Sequence, residues 1–316
     1  MKDLDNIKFL EGMLKVRIFE QKVFELFRQN LLRGAVHLCY GQEAIGIGAC
    51  SALKKEDYIV TTHRSNGHCI GKGVDIKKMM AELLGKETGL CRGRGGDMHF
   101  DDHINHVICT SIVGEGIPIA VGIALAFKMK KKNSVVLCFF GDGASNQGVF
   151  HEGLNLASIW KVPLVFVCEN NLYAVSVSFK TSTSVENIAE RGKSYNIPAE
   201  IVDGNDVLLV NKAVNKAVER ARNGGGPTLI ECKTFLPKGH YIGDDGRYMD
   251  KEELDFWYKK DPIEKYKNYL IKENLLTEQK YEEIVKKIQD KTEEAVEYAL
   301  KSPEPNVENI IDEVYA

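Results

Sequence analysis

Two short apolar runs, residues 135–140 and 163–168, interrupt a chain whose other hydrophobic residues mostly recur at helical spacing. Each run is brief and apolar throughout, which predicts strands buried on both faces. Residues 149–160 between them carry apolar side chains at helical intervals and predict one helix. Strand, helix, strand in that order predicts a right-handed crossover with the two strands parallel and adjacent. Residues 4–30 set Leu10, Leu14, Ile18, Val23, Phe24 and Phe27 against charged positions and predict an amphipathic helix. Further helices are expected at 44–53, 75–84, 117–128 and 207–222. The third is dense in Gly and Ala, so something packs closely on it, and Gly224-Gly225-Gly226-Pro227 stops the fourth. Strands are expected at 58–62, 200–202 and 228–233, and loops at 85–97, 174–184 and 236–250. Asp261-Pro262 has the form of a helix cap with proline at the first helical position, and the chain beyond is charged and helical to about residue 301. There is no internal repeat and no linker-like segment. The pattern predicts one α/β domain over residues 1–316, with a doubly wound, mostly parallel sheet and helical extensions at both ends.

Composition narrows the partners. A formal charge of −3 over 316 residues gives no reason to expect nucleic acid or a membrane surface. No run reaches the roughly 18 apolar residues of a membrane span. The N-terminus mixes acids and bases without an apolar signal core, so a cytoplasmic location is expected. The eight cysteines are scattered, none in a Cys-x-x-Cys pair, and read as buried reduced thiols.

The chemistry sits where the two apolar runs end. The first leads into Gly141-Asp142-Gly143-Ala144 and the second into Glu169-Asn170-Asn171-Leu172-Tyr173, with Asp142 and Asn171 29 positions apart. The crossover brings both turns to one sheet edge, at the carboxyl ends of neighbouring strands. Mg²⁺ takes six oxygens, usually one or two carboxylates with phosphate oxygens and water. Asp142 supplies charge, the Asn171 side chain a neutral oxygen, and a backbone carbonyl at Tyr173 a third ligand. Gly141 and Gly143 let the backbone approach a diphosphate, and the following helix directs its positive end there. Competing phosphate motifs are missing: no Gly-x-Gly-x-x-Gly occurs, and the glycines at 67–73 fall one residue short of a P-loop. His99, His103 and His106, with Asp101 and Asp102, have the look of a metal triplet, but the spacing is not a standard zinc pattern.

The segment from Gly141 to Tyr173 resembles the thiamine diphosphate motif. Around it, the chain resembles the alpha subunit of the thiamine-dependent first component of 2-oxo acid dehydrogenase complexes. The matching segments, in order, are Arg33-Gly34 with His37, Gly41-Gln42-Glu43-Ala44, His63-Arg64, Gly93-Arg94-Gly95-Gly96-Asp97-Met98-His99, Ile112-Val113-Gly114, residues 141–157, residues 226–231 and Gly239-His240. They span nearly the whole chain, and the acetoin branch looks closest, with the pyruvate branch next.

The resemblance implies a thiamine diphosphate-binding fold and a division of labour. Asp142, Asn171 and the Tyr173 carbonyl would hold Mg²⁺. The Gly143 and Ala144 amides with Arg64 would hold the diphosphate. His63, at a position usually Tyr in the family, would lie beside the cofactor. Ser111 and Val113 would contact the aminopyrimidine through backbone. His37 falls on the substrate side, and His240 on a loop that reaches the cofactor and moves protons. The glutamate that activates the aminopyrimidine lies on a separate beta subunit in this family, so an α2β2 heterotetramer is implied. So are cleavage of the bond next to a carbonyl in acetoin or pyruvate, and transfer of the two-carbon unit to the lipoyl group of a dihydrolipoyl acyltransferase. Branched-chain 2-oxo acid, transketolase-like and non-catalytic scaffold roles stand as alternatives. Two departures mark the loop: Leu236 stands where the family has Arg, with Lys238 as a possible replacement, and Tyr241 stands at a serine position regulated in mammalian relatives.

Overall fold

The computed structural model describes residues 3–32, 34–306 and 308; Arg33, quoted above, lies outside them. In chain order the principal elements are α1 (Asp3–Arg28), α2 (Glu43–Cys50), β1 (Tyr58–Thr61), α3 (Asn66–Lys72), α4 (Ile76–Leu83), β2 (Val107–Cys109), α5 (Gly116–Met129), β3 (Val136–Gly141), α6 (Gly148–Trp160) and β4 (Leu164–Asn170). Then come β5 (Tyr173–Ala174), β6 (Val177–Ser178), α7 (Phe179–Ser182), β7 (Ala199–Asp203), α8 (Val207–Arg222), β8 (Thr228–Lys233), α9 (Lys251–Tyr258), α10 (Pro262–Lys272) and α11 (Glu278–Lys301).

Six strands form one sheet in the order β2-β1-β3-β4-β8-β7, every pair parallel. The apolar runs alternate between two cores, as strands covered on both faces must. Val136, Cys138 and Phe140 of β3, with Leu164, Phe166 and Cys168 of β4, pack against α5 and α6. Leu137, Phe139, Val165 and Val167 face the larger core built with α1, α2, α4, α8 and α11. Burying each such Phe or Leu contributes roughly 1.5–3 kcal/mol. The close packing expected of the Gly/Ala-rich helix is present: a Cβ at Gly153 of α6 would come within 2.5 Å of Ile117 on α5.

Several expectations need correction. Residues 174–184 are not a plain loop. Tyr173 pairs with Ser178 and Ala174 with Val177 in a small antiparallel hairpin, followed by the helical turn α7. The C-terminal helical stretch is two helices, because α10 stops at Lys272 and α11 begins at Glu278 behind the Thr277 cap. The first strand ends at Thr61 and the second helix at Cys50. Helix α3 was not expected, since Gly67 and Gly71 were weighed only against a P-loop. They are contact points instead, since a Cβ on Gly46 of α2 would lie 2.7 Å from the Gly67 carbonyl carbon. Asp261 does cap α10, accepting from the amides of Ile263 and Glu264.

Candidate functional site

The chain reverses direction across the sheet between β1 and β3, and a crevice opens at the carboxyl ends of β1 to β4. Register sets its floor: Gly141 pairs with Glu169, so β3 and β4 deliver Asp142 and Asn171 to the same edge. Asp142 is 3 % exposed, and its Oδ2 meets no hydrogen-bond partner. Burial pushes its carboxyl up to about 6, although its own amide and that of Asn171 pull the other way. An orphaned buried carboxylate oxygen facing a crevice is the feature a cation would satisfy. The two asparagines divide their work. Asn170 is buried and structural, its Nδ2 donating to Glu231 at 2.7 Å and its Oδ1 accepting from Leu172 N. Asn171 lines the crevice, its Oδ1 accepting only a long 3.3 Å bond from Tyr173 N.

The turn after Asn171 is conformationally costly. Leu172 (φ 74°) and the β-branched Val175 (φ 55°) both occupy left-handed backbone. The hairpin they flank presses on Gly143, where a Cβ would meet that of Ala174 at 2.7 Å. The Tyr173 side chain points away, its hydroxyl donating to Glu253 on α9 at 2.9 Å. Only its backbone is left for the crevice.

His63 and His240 also line the crevice, and the buried His37 packs against both without itself lining it. His37, His63 and His240 bring one ring nitrogen each within 4.8 Å of one another. Burial and the neighbouring Arg64 hold His63 down at about 3 and His240 at about 4, so both are neutral at pH 7. Arg64 is buried, and no carboxylate pairs with it among the described residues. Its Nη1 donates to the Leu38 carbonyl at 2.6 Å and its Nη2 to the His240 carbonyl at 2.8 Å. A buried guanidinium lining the crevice without a counter-ion suits an anionic ligand. The loop bearing His240 is also closed on itself: Asp244 accepts from the His240 amide at 2.7 Å and from the Tyr248 hydroxyl at 2.6 Å.

Other predicted residues fall as follows. Val113 lines the crevice with Ile112 and Gly114, and Ser111 precedes them without itself lining it. Gly141 and Ala144 line it beside Asp142. Leu236 is buried, and Lys238 lies over the Tyr40 ring at 5.2 Å rather than turning toward the crevice, so it does not replace the missing cation. His99, His103 and His106 do not converge: among the described residues the one potential ligand cluster is the trio at the crevice. His106 stacks on Tyr58 instead, at 4.3 Å.

Three buried acids escaped the sequence reading. Glu169 lines the crevice and meets His68 Nε2 at 3.2 Å. Asp97 accepts from the His37 amide at 2.7 Å. Glu82 of α4 receives the amides of Cys91, Gly93, Gly95 and Gly96. The signal was the glycine-rich loop itself, since a coiled segment with so many amides needs an acceptor from elsewhere.

The histidines make a pH prediction. A folded-state value of about 3 for His63 lies below the ordinary 6.5, so the unfolded chain takes up the proton first. Its contribution is intact above pH 6.5 and is lost as pH falls from 6.5 toward 3. Exchanging His63 for Gln should therefore shift relative unfolding free energies by about 1 kcal/mol in the variant's favour between pH 7 and pH 5, after discounting for partial exposure. Urea titrations at the two pH values measure it; an unchanged difference removes the assignment.

A buried acid with an unpartnered oxygen, an asparagine oxygen and a guanidinium without a carboxylate partner around one crevice at a parallel sheet edge suit an anionic ligand with a cation. Residues 11–308 match the dehydrogenase E1 component family. The chain belongs to that family, whose cofactor is thiamine diphosphate. It is 47% identical over 307 residues to the alpha subunit of acetoin:2,6-dichlorophenolindophenol oxidoreductase of Bacillus subtilis (strain 168), covering 96% of this chain and 92% of that one. The corresponding Cupriavidus necator subunit is 39% identical, with 96% and 92% covered. A chloroplastic pyruvate dehydrogenase E1 subunit alpha-3 of Oryza sativa subsp. japonica is 42% identical over 98% of this chain and 75% of its own length.

Proposed function

We propose that this chain is the alpha subunit of an acetoin or pyruvate dehydrogenase that passes a two-carbon unit to the lipoyl group of a dihydrolipoyl acyltransferase. The carrying observation is the unpartnered Asp142 carboxylate oxygen beside Asn171 in the crevice. Asp142, Asn171 and the Tyr173 carbonyl would hold Mg²⁺. The Gly143 and Ala144 amides and Arg64 would hold the diphosphate, with the backbone at Ser111 and Val113 against the aminopyrimidine. Bound there, thiamine diphosphate supplies the electron sink for cleavage beside a carbonyl. The chain orients it, keeps His63 and His240 uncharged nearby, and presents His37 to the substrate.

The alpha-subunit relatives support a beta subunit partner, and so does the crevice's lining among the described residues. Its lining carboxylates are Asp142, committed to the metal, and Glu169, paired with His68. Neither is free to serve the aminopyrimidine. The rim also exposes Ile112 (68 %), Val113 (49 %) and Val175 (53 %), an apolar edge that a partner would cover. Mixing the chain with its beta partner, Mg²⁺ and thiamine diphosphate should give turnover that neither chain gives alone. Assays with acetoin, pyruvate and branched 2-oxo acids rank the substrates, and acylation of a lipoyl domain distinguishes a complex component from a transketolase-like enzyme. Absence of cofactor-dependent turnover in the mixture would overturn the reading and favour a scaffold.

A further inference from the structure

Two of the three imidazoles are held in opposite tautomers. Asp97 Oδ2 accepts the His37 amide at 2.7 Å and lies 3.2 Å from His37 Nδ1. An oxygen already accepting the amide offers Nδ1 another lone pair, so Nδ1 carries the proton and Nε2 is a free acceptor. His240 is set the other way. Arg64 Nη2 lies 3.3 Å from His240 Nδ1, and a guanidinium only donates, so Nδ1 accepts and Nε2 keeps the proton. The two rings stand edge to face with centroids 5.3 Å apart. His63 lies 4.8 Å from His37 and 5.6 Å from His240 by the same measure, with no hydrogen-bond partner among the described residues. The trio thus offers one fixed acceptor and one fixed donor rather than three lone pairs.

We infer that Asp97 is a positioning residue that makes His37 the proton acceptor of this site, while Arg64 fixes His240 as a neutral hydrogen-bond donor opposite it. The inference rests on the proposed function for the reaction served, but not for the tautomers. Cleaving a hydroxy ketone such as acetoin beside its carbonyl needs the neighbouring hydroxyl proton removed as the carbon–carbon bond breaks, and the carbonyl oxygen stabilised as it gains charge. His37 Nε2 takes the hydroxyl proton and becomes an imidazolium beside Asp97. The O–H bonding pair becomes the π bond of the released carbonyl, and the carbon–carbon pair would pass to the electron sink that bound thiamine diphosphate supplies. His240 stays neutral throughout, since giving up its remaining proton would leave an imidazolate; it donates a hydrogen bond to the charged oxygen. Asp97 touches neither substrate nor cofactor in this account and acts only through His37.

The test uses the full chain labelled with ¹⁵N-histidine, the His37 signals being assigned by difference against His37→Asn. The expected wild-type spectrum has a protonated Nδ1 and an unprotonated Nε2 on His37, and Asp97→Ala mixes the two forms. With the beta subunit and acetoin as substrate, Asp97→Ala should lower kcat at least tenfold, toward the ~100-fold lower end of general-base contributions. KM and thiamine diphosphate affinity should stay within about threefold, as a defect in proton transfer alone requires. Asp97→Asn retains an acceptor oxygen where Oδ2 lies, so it should keep the wild-type tautomer and recover part of the lost kcat. An unprotonated Nδ1 in the wild-type spectrum overturns the inference, as does Asp97→Ala losing less than tenfold in kcat. If the wild-type mixture shows no cofactor-dependent turnover, the functional reading fails while the spectra still decide the tautomers.

Discussion

Replacing Asp142 by asparagine should abolish Mg²⁺-dependent binding of thiamine diphosphate and leave the empty chain more stable than before. The two effects share one cause. In the empty site the carboxylate is buried with one oxygen unpartnered and its pKa raised to about 6 from the ordinary 3.8. A raised carboxyl pKa opposes folding above the folded value, and the penalty is relieved as pH falls from about 6 to 3.8. At pH 7 the net penalty is about 3 kcal/mol, with the opposing bonds from its own amide and that of Asn171 already included. The amide variant removes that penalty but presents a neutral oxygen where Mg²⁺ needs charge. The apparent cofactor Kd should rise at least ~100-fold, erasing the ligand-induced rise in melting temperature, which scales with ln(1 + [L]/Kd). Calorimetry with and without Mg²⁺ and cofactor reads both effects. A variant that keeps the full cofactor-induced shift would remove Asp142 from the metal site.

The largest stability loss should come from Glu82→Ala, because this one side chain accepts four amides of the glycine-rich loop. Glu82 is fully buried on α4, with Oε2 accepting the Cys91 and Gly93 amides at 2.8 and 2.9 Å and Oε1 those of Gly95 and Gly96 at 2.6 and 3.1 Å. Charge-assisted bonds contribute about 1.5–3 kcal/mol each and do not add in full, so a loss on the order of 4 kcal/mol is expected. Against a typical total of about 5–15 kcal/mol, that is a large share. Glu82→Gln should rescue poorly, because its NH₂ would face amides that also donate. Urea midpoints measure the loss, and limited proteolysis should show new cleavage between residues 85 and 97. A midpoint change worth under about 1 kcal/mol would show that the amides find other acceptors. The effect reaches the site, because Asp97 closes this loop and holds His37.

How far the sequence disclosed this arrangement depended on the range of the interaction. The half of the crevice that carries Asp142 and Asn171 was legible because its parts are local. Apolar runs buried on two faces can only be inner strands, and one crossover then carries Asp142 and Asn171 to one edge. The imidazole half was legible only through resemblance, since His37 and His240 meet across two hundred residues of chain. The acids that govern it were not legible at all. Glu82 sits in an amphipathic helix where acids are ordinarily solvated, and Asp97 lies 60 positions from the histidine it holds. Glycines misled for a related reason. At Gly67 and Gly71 the small residue marks one helix touching another, which local pattern cannot separate from a turn.

The strand order β2-β1-β3-β4-β8-β7 also has a consequence in time. Strands β1 to β4 and the turns that carry Asp142 and Asn171 leave the ribosome before the rest of the sheet exists. The other neighbour of β4 comes only with Thr228–Lys233, and the loop with His240 only after that. A growing chain therefore has the turns bearing Asp142 and Asn171 some sixty residues before the strand that flanks them, roughly 3 to 12 s at ordinary elongation rates. During that interval one edge of β4 has no strand to pair with, so nascent chains stalled before residue 228 should be the ones most prone to aggregate.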